Sequence, residues 1–182
     1  MFIRLKNING QHYAYRVKNS WTKKGARQKA MKYLGKALIL PEADGSSYES
    51  FLSNPTFLDI AGLKEIIDSL ITWEFSRRGI EKKDEGFMYG DKIIYMKNLV
   101  PHAKDKALIL KVGEGYLCHE TVQTLLHFRR EEEEDHETAG TRLATAFLAT
   151  GINVPKEVFV KVYEKLSYFD EPEVEVSLKN FE

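Results

Sequence analysis

Phe2-Ile3-Arg4-Leu5-Lys6-Asn7-Ile8, then Asn9-Gly10, then Gln11-His12-Tyr13-Ala14-Tyr15-Arg16-Val17-Lys18, is the stretch on which the fold turns. Both flanks alternate from residue to residue, the period of strands with one face buried. Asn-Gly between two alternating runs is the strongest short hairpin signal, because a type I′ turn needs positive φ at both central residues. A two-residue loop sets Lys6 opposite Tyr13 and Leu5 opposite Ala14. A three-residue loop, Ile8-Asn9-Gly10, sets Leu5 opposite Tyr13 and Ile3 opposite Tyr15. A slip of one residue exchanges the two faces, and burying Ile3 and Leu5 together with Tyr13, Tyr15 and Val17 favours the three-residue loop. One open face would then be shared by Arg4, Lys6, His12, Arg16 and Lys18.

Charge is segregated along the chain. The whole sequence is neutral, with 27 Lys and Arg against 27 Asp and Glu. Its first 36 residues nevertheless carry ten cations, and the first acid is Glu42, so this segment is +10 and the remainder −10. Such asymmetry points to a polyanionic partner, since a one-signed stripe repels itself until something neutralises it. Arg4, Lys6, Arg16, Lys18, Lys23, Lys24, Arg27, Lys29 and Lys32 are the candidate nucleic-acid-binding residues. Arg forks onto guanine edges, which favours Arg4 and Arg16, with Arg27 behind them, for base reading; the lysines suit phosphates as point charges. Trp21 and Tyr13 have rings a single strand can stack on, but module core is their ordinary use.

Asn19 to Gly25 reads as an extended turn. Ala26 to Leu34 fits strand parity and helix spacing alike, and periodicity does not decide so short a run. Phe2-Ile3-Arg4, Tyr13-Ala14-Tyr15, Lys24-Gly25-Ala26-Arg27-Gln28-Lys29 and Lys32-Tyr33-Leu34-Gly35-Lys36 together resemble the opening segment of DDE-type insertion-sequence transposases. The resemblance covers residues 1–36. It implies a small β-rich module with a DNA-contacting role, and a third strand rather than a helix at 26–34. It does not extend to the catalytic core: Asp59, Asp68, Asp91 and Glu114 show no Asp–Asp–Glu strand placement, so transposase activity is not carried over.

At 182 residues the chain is one domain, or one domain plus a small module. Turn and linker chemistry at Pro41 to Ser47 sets the expected division: a basic β-rich module over 1–40 and a body over 48–182. A hydrophobic fraction of 43% excludes global disorder. No apolar run is long enough for a membrane span, and no signal-peptide h-region follows Met1. A single cysteine, Cys118, excludes an internal disulfide framework and multi-cysteine zinc sites, and fits a cytoplasmic protein.

The body reads as helix from Asp59 to Arg78, and as strands at Ile93–Met96 and Ala107–Val112. Three helical stretches follow: 119–137, 138–149, and one starting at Val154-Pro155. A terminal strand is expected at Glu173–Leu178. The class is therefore α+β: a small basic antiparallel β module, then a mixed α/β body with a helical C-terminal half.

Candidate chemistry in the body is thin. Gly113-Glu114-Gly115 reads as a tight turn, because a lone Gly-x-Gly is not a phosphate loop. Cys118 next to His119 is no dyad by spacing alone. His119, His127 and His136 with one Glu-x-x-His make no metal site, and no cofactor is expected. Asp91, Asp105 and Glu114 flank the two strands, the placement a metal-dependent nuclease would use. The run Glu131-Glu132-Glu133-Glu134-Asp135 reads as a solvated helix face, with a phosphate-mimicking dock for the basic module as the sharper alternative. The sequence thus favours a non-enzymatic DNA-binding protein, with DNA ahead of RNA, no membrane partner, and a homodimer as a means of raising affinity. A nuclease-like enzyme and a protein-interaction module with charge-segregated halves are the alternatives.

Overall fold

The computed structural model describes residues 2–23 and 25–168, with side chains through Leu166. Lys24 and the strand expected at Glu173–Leu178 lie outside the described residues. The fold is α+β. Among the described residues, nine strands form one mixed sheet and six helices accompany it.

The basic module is a three-stranded antiparallel meander of β1 (Phe2–Ile8), β2 (Gln11–Thr22) and β3 (Gly25–Ile39). Residues 26–34 are strand. The sheet continues from β3, which lies parallel beside β8 (Lys106–Val112). From β8 it runs through β7 (Val100–Ala103), β6 (Lys92–Lys97), β5 (Gly86–Tyr89) and β4 (Glu81–Lys83), while β9 (Gly115–Leu117) pairs with β8. Gly113-Glu114 is the tight turn of the β8–β9 hairpin, with Gly113 at φ 51°.

The hairpin register departs from expectation. Lys6 lies opposite Tyr13, Leu5 opposite Ala14 and Arg4 opposite Tyr15, so the loop is the two-residue one. Asn9 and Gly10 take φ 52° and 77°, the left-handed pair a type I′ turn requires. Asn7 helps by accepting the Gly10 N–H on its Oδ1 at 3.0 Å. The reason is packing. This register puts Ile3, Leu5 and Ala14 on one face, where they meet Ile109 of β8 and Cys118, and Ala14 is fully buried. The tyrosines occupy the opposite face and need less burial, since a phenol is content half in water.

β8 is covered on both sides. Its Leu108 and Leu110 face the main core, and Ile109 faces the module. The main core is built on α3 (Leu63–Ser76), whose Ile66, Ile67, Leu70, Ile71 and Phe75 are all buried. The helix expected from Asp59 is split. Phe57–Ile60 forms α2 after the short α1 (Tyr48–Phe51), and α3 restarts after Gly62, whose N–H donates to Glu65 Oε2 at 2.7 Å. At the far end of α3 a buried ion pair joins Glu74 to Arg78 at 2.6 Å, and Arg78 Nη1 donates to the Pro41 carbonyl. That contact ties the segment after β3 to the body.

The helix expected over 119–137 is also interrupted. α4 (His119–Leu126) stops, the acidic run forms a turn, and α5 (His136–Thr150) starts afresh; α6 (Lys156–Tyr168) follows. Five adjacent acids repel one another along a helix, whereas Asp135 is useful as an N-cap, accepting the Thr138 N–H at 2.8 Å. No helix among the described residues is long and apolar enough to cross a membrane.

Candidate functional site

The cations of the first 36 residues are distributed over two faces and one arm. β2 pairs with β1 only as far as Val17, and β3 pairs with β8 only from Lys36 onward. Between those limits the two strands pair with each other alone, down to Thr22 opposite Gly25. This ribbon extends roughly five residues per strand past the β1 pairing, about 17 Å at strand rise.

Its sides differ in chemistry. Residues directly opposite in an antiparallel pair share a face, so the first side carries Arg16 opposite Lys32, Lys18 opposite Lys29, and Ser20 opposite Arg27. This is a ladder of cations advancing about 6.7 Å per rung. Like charges directly opposite one another destabilise a sheet, so each rung needs an anion. The first rung has one: Glu120, in the opening turn of α4, lies 3.3 Å from Arg16 Nη1 and 3.8 Å from Lys32 Nζ. The second rung has none. Among the described residues no carboxylate pairs with Lys18, Lys29, Arg27 or Lys23, and all four are exposed.

The other side is aromatic. Tyr13, Tyr15 and Tyr33 lean on one another, with centroids 6.3 Å (Tyr13–Tyr33) and 5.4 Å (Tyr15–Tyr33) apart. Partial desolvation beside these rings pushes the Tyr33 phenol up, with Tyr13 and Tyr15 adding to it. Lys6 sits over the Tyr15 ring at 5.0 Å, and Arg4 Nη1 donates to Gln28 Oε1. Trp21, nearest the tip on this face, is 85% exposed.

The expected single open face is therefore overturned: Arg4 and Lys6 lie on the aromatic side, while His12, Arg16 and Lys18 lie on the other. The separating cause is the register, which places every residue of β1 one position away from the expected pairing. Module core is also not the place of Trp21. Glu120 was not legible as a partner, since nothing local in sequence links a helix start to a strand a hundred residues earlier. The acidic run, read as a solvated helix face with a dock for the module as the alternative, is a turn whose acids are engaged elsewhere: Arg142 holds Glu134 at 2.7 Å and Glu131 at 3.6 Å. Arg142 also holds the Glu134 carboxyl below the usual range.

The body's candidate chemistry disperses. Asp105 and Glu114 flank opposite ends of β8, and Asp91 belongs to the β5–β6 turn. His119 and His127 stand at the two ends of α4, and His136 contacts Tyr163 OH at 2.9 Å. Among the described residues no group of three His, Cys, Asp or Glu is placed to hold a metal ion. Cys118 is buried at the α4 N-cap, its N–H donating to Thr121 Oγ1 at 3.2 Å. Set against protein-family models, curated proteins and solved structures, the chain matches none of them.

Proposed function

We propose that this chain is a non-enzymatic nucleic-acid-binding protein that places its β2–β3 arm against a sugar–phosphate backbone. The observation that carries this reading is the Lys18–Lys29 rung, two opposed cations with no carboxylate among the described residues. Phosphates are the anions that would relieve such a rung, and their neutralisation releases condensed counterions. The cationic face of the arm supplies Arg16, Lys18, Arg27, Lys29 and Lys32, with Lys23 at the turn; Arg4 and Lys6 serve the opposite face.

Arg27 is the residue for base edges. Arg4 is engaged by Gln28 and Arg16 by Glu120, whereas Arg27 is exposed near the tip. DNA is favoured over RNA because a two-stranded ribbon fits the major groove of B-DNA, and A-form RNA closes that groove. The likeness of residues 1–36 to the opening of insertion-sequence transposases supports the same role and an origin in a mobile element. The single buried Cys118 is compatible with work in the cytoplasm.

The test is a gel shift with the full chain on matched DNA and RNA duplexes. The wild type shifts DNA at lower concentration than RNA, and the K18E/K29E double variant shifts neither. Equal shifts by wild type and variant would overturn the reading.

A further inference from the structure

We propose that Trp21 is a stacking residue for an unpaired nucleobase, so that the arm engages nucleic acid carrying single-stranded stretches. This rests on the reading of the arm as a phosphate-binding element, and adds a second, chemically different contact.

Three observations converge. Among the described residues Trp21 is the most exposed of the large apolar side chains, 85% accessible, although an indole left in water forfeits the burial that usually places it. It sits one residue from the end of the ribbon, with small Ala26 opposite, and its exposure leaves the ring accessible to a planar ligand. Cations lie near it: Lys23 follows it at the turn, Lys6 and Arg4 lie farther down its own face, Lys18, Arg27 and Lys29 line the other face of the same two strands, and no acid occurs before Glu42. An apolar ring on one face of a ribbon whose other face bears unpaired cations is complementary to a molecule with π faces strung on phosphates, which can reach both faces of a two-stranded arm. An apolar protein groove that enclosed the arm would desolvate those cations without partners. The same side of the ribbon continues to Tyr33, Tyr15 and Tyr13, aromatic surface on which a strand can extend toward the module.

An unpaired base suits this site better than a base step in a duplex. A wedge must supply the cost of unstacking, a few kcal/mol per step. That requires rigid support behind the wedge, and Trp21 has almost none. A base already out of a helix carries no such cost.

Intrinsic fluorescence reads the contact directly, because the chain has two tryptophans and Trp73 is buried at 3% exposure. The full chain is titrated with single-stranded oligo-dT and with a blunt duplex. Oligo-dT is expected to quench the emission while the duplex leaves it unchanged. Trp21→Ala should weaken oligo-dT binding roughly 5- to 100-fold and spare duplex affinity, and Trp21→Tyr should restore most of the loss. Duplex binding that is intact, with oligo-dT neither quenching nor sensitive to Trp21→Ala, overturns this inference alone. Equal quenching by both ligands overturns the preference for unpaired bases. Absence of binding to either overturns the arm reading as well.

Discussion

Lys18 stands directly opposite Lys29 in the β2–β3 ribbon, and no carboxylate among the described residues relieves the pair. A sheet gains from opposite charges at such positions and loses from like ones. Lys29→Glu should therefore stabilise the isolated protein by roughly 0.2–1 kcal/mol in low-salt urea titrations, while weakening DNA binding. Opposite signs for stability and binding mark a rung kept for a ligand. A destabilised K29E would show instead that Lys29 makes a contact the ribbon needs.

Glu120 neutralises the neighbouring rung, 3.3 Å from Arg16 and 3.8 Å from Lys32. Replacing it by Gln should free both cations. Glu120→Gln is expected to raise DNA affinity at low salt and to steepen the log–log salt dependence by about 1 to 2. An affinity unchanged by E120Q would place the nucleic acid away from that rung.

The register is testable through Ala14, fully buried against the face that holds Ile109 and Cys118. Ala14→Leu should overpack that site and cost about 1–3 kcal/mol by chemical denaturation. In the three-residue-loop register Ala14 would face away from Ile3 and Leu5, and the larger side chain would be tolerated.

That register also shows what the sequence conveyed and what it withheld. The Asn9-Gly10 turn and the alternation of its flanks announced the hairpin, and the +10 segment announced the arm's charge. The faces are not legible because the rings of Tyr13 and Tyr15 look like core, while the residue that decides the packing is Ala14, whose small side chain gives no periodic signal. The β6–β7 hairpin was hidden for a related reason: its turn is Asn98-Leu99, at φ 50° and 64°, without the glycine that advertises such a turn. Acid–base pairing across long separations, as of Glu120 with Arg16, has no local signature at all.

Acid should loosen the contact between α2 and α6. Asp59 lies 2.8 Å from Lys161, whose ammonium holds the Asp59 carboxyl below its ordinary range. A carboxylate with a depressed folded pKa contributes stability above its unfolded value, near 4, and loses it as pH falls through the folded value. Glu134 beside Arg142, and Asp135 as the α5 cap, act in the same direction. Urea midpoints are therefore expected to be level near neutrality and to decline below about pH 4. Asp59→Asn should flatten part of that decline, and an identical acid profile in the variant would remove the Asp59–Lys161 contribution.

The central claim is that the cations of the arm neutralise phosphates, and the salt dependence of duplex DNA affinity measures it most directly. With about half of the ten cations engaged, the full chain should show a log–log slope of roughly −4 to −5, reduced by about 2 in K18E/K29E. A slope near zero, or one that the double variant leaves unchanged, would contradict the account.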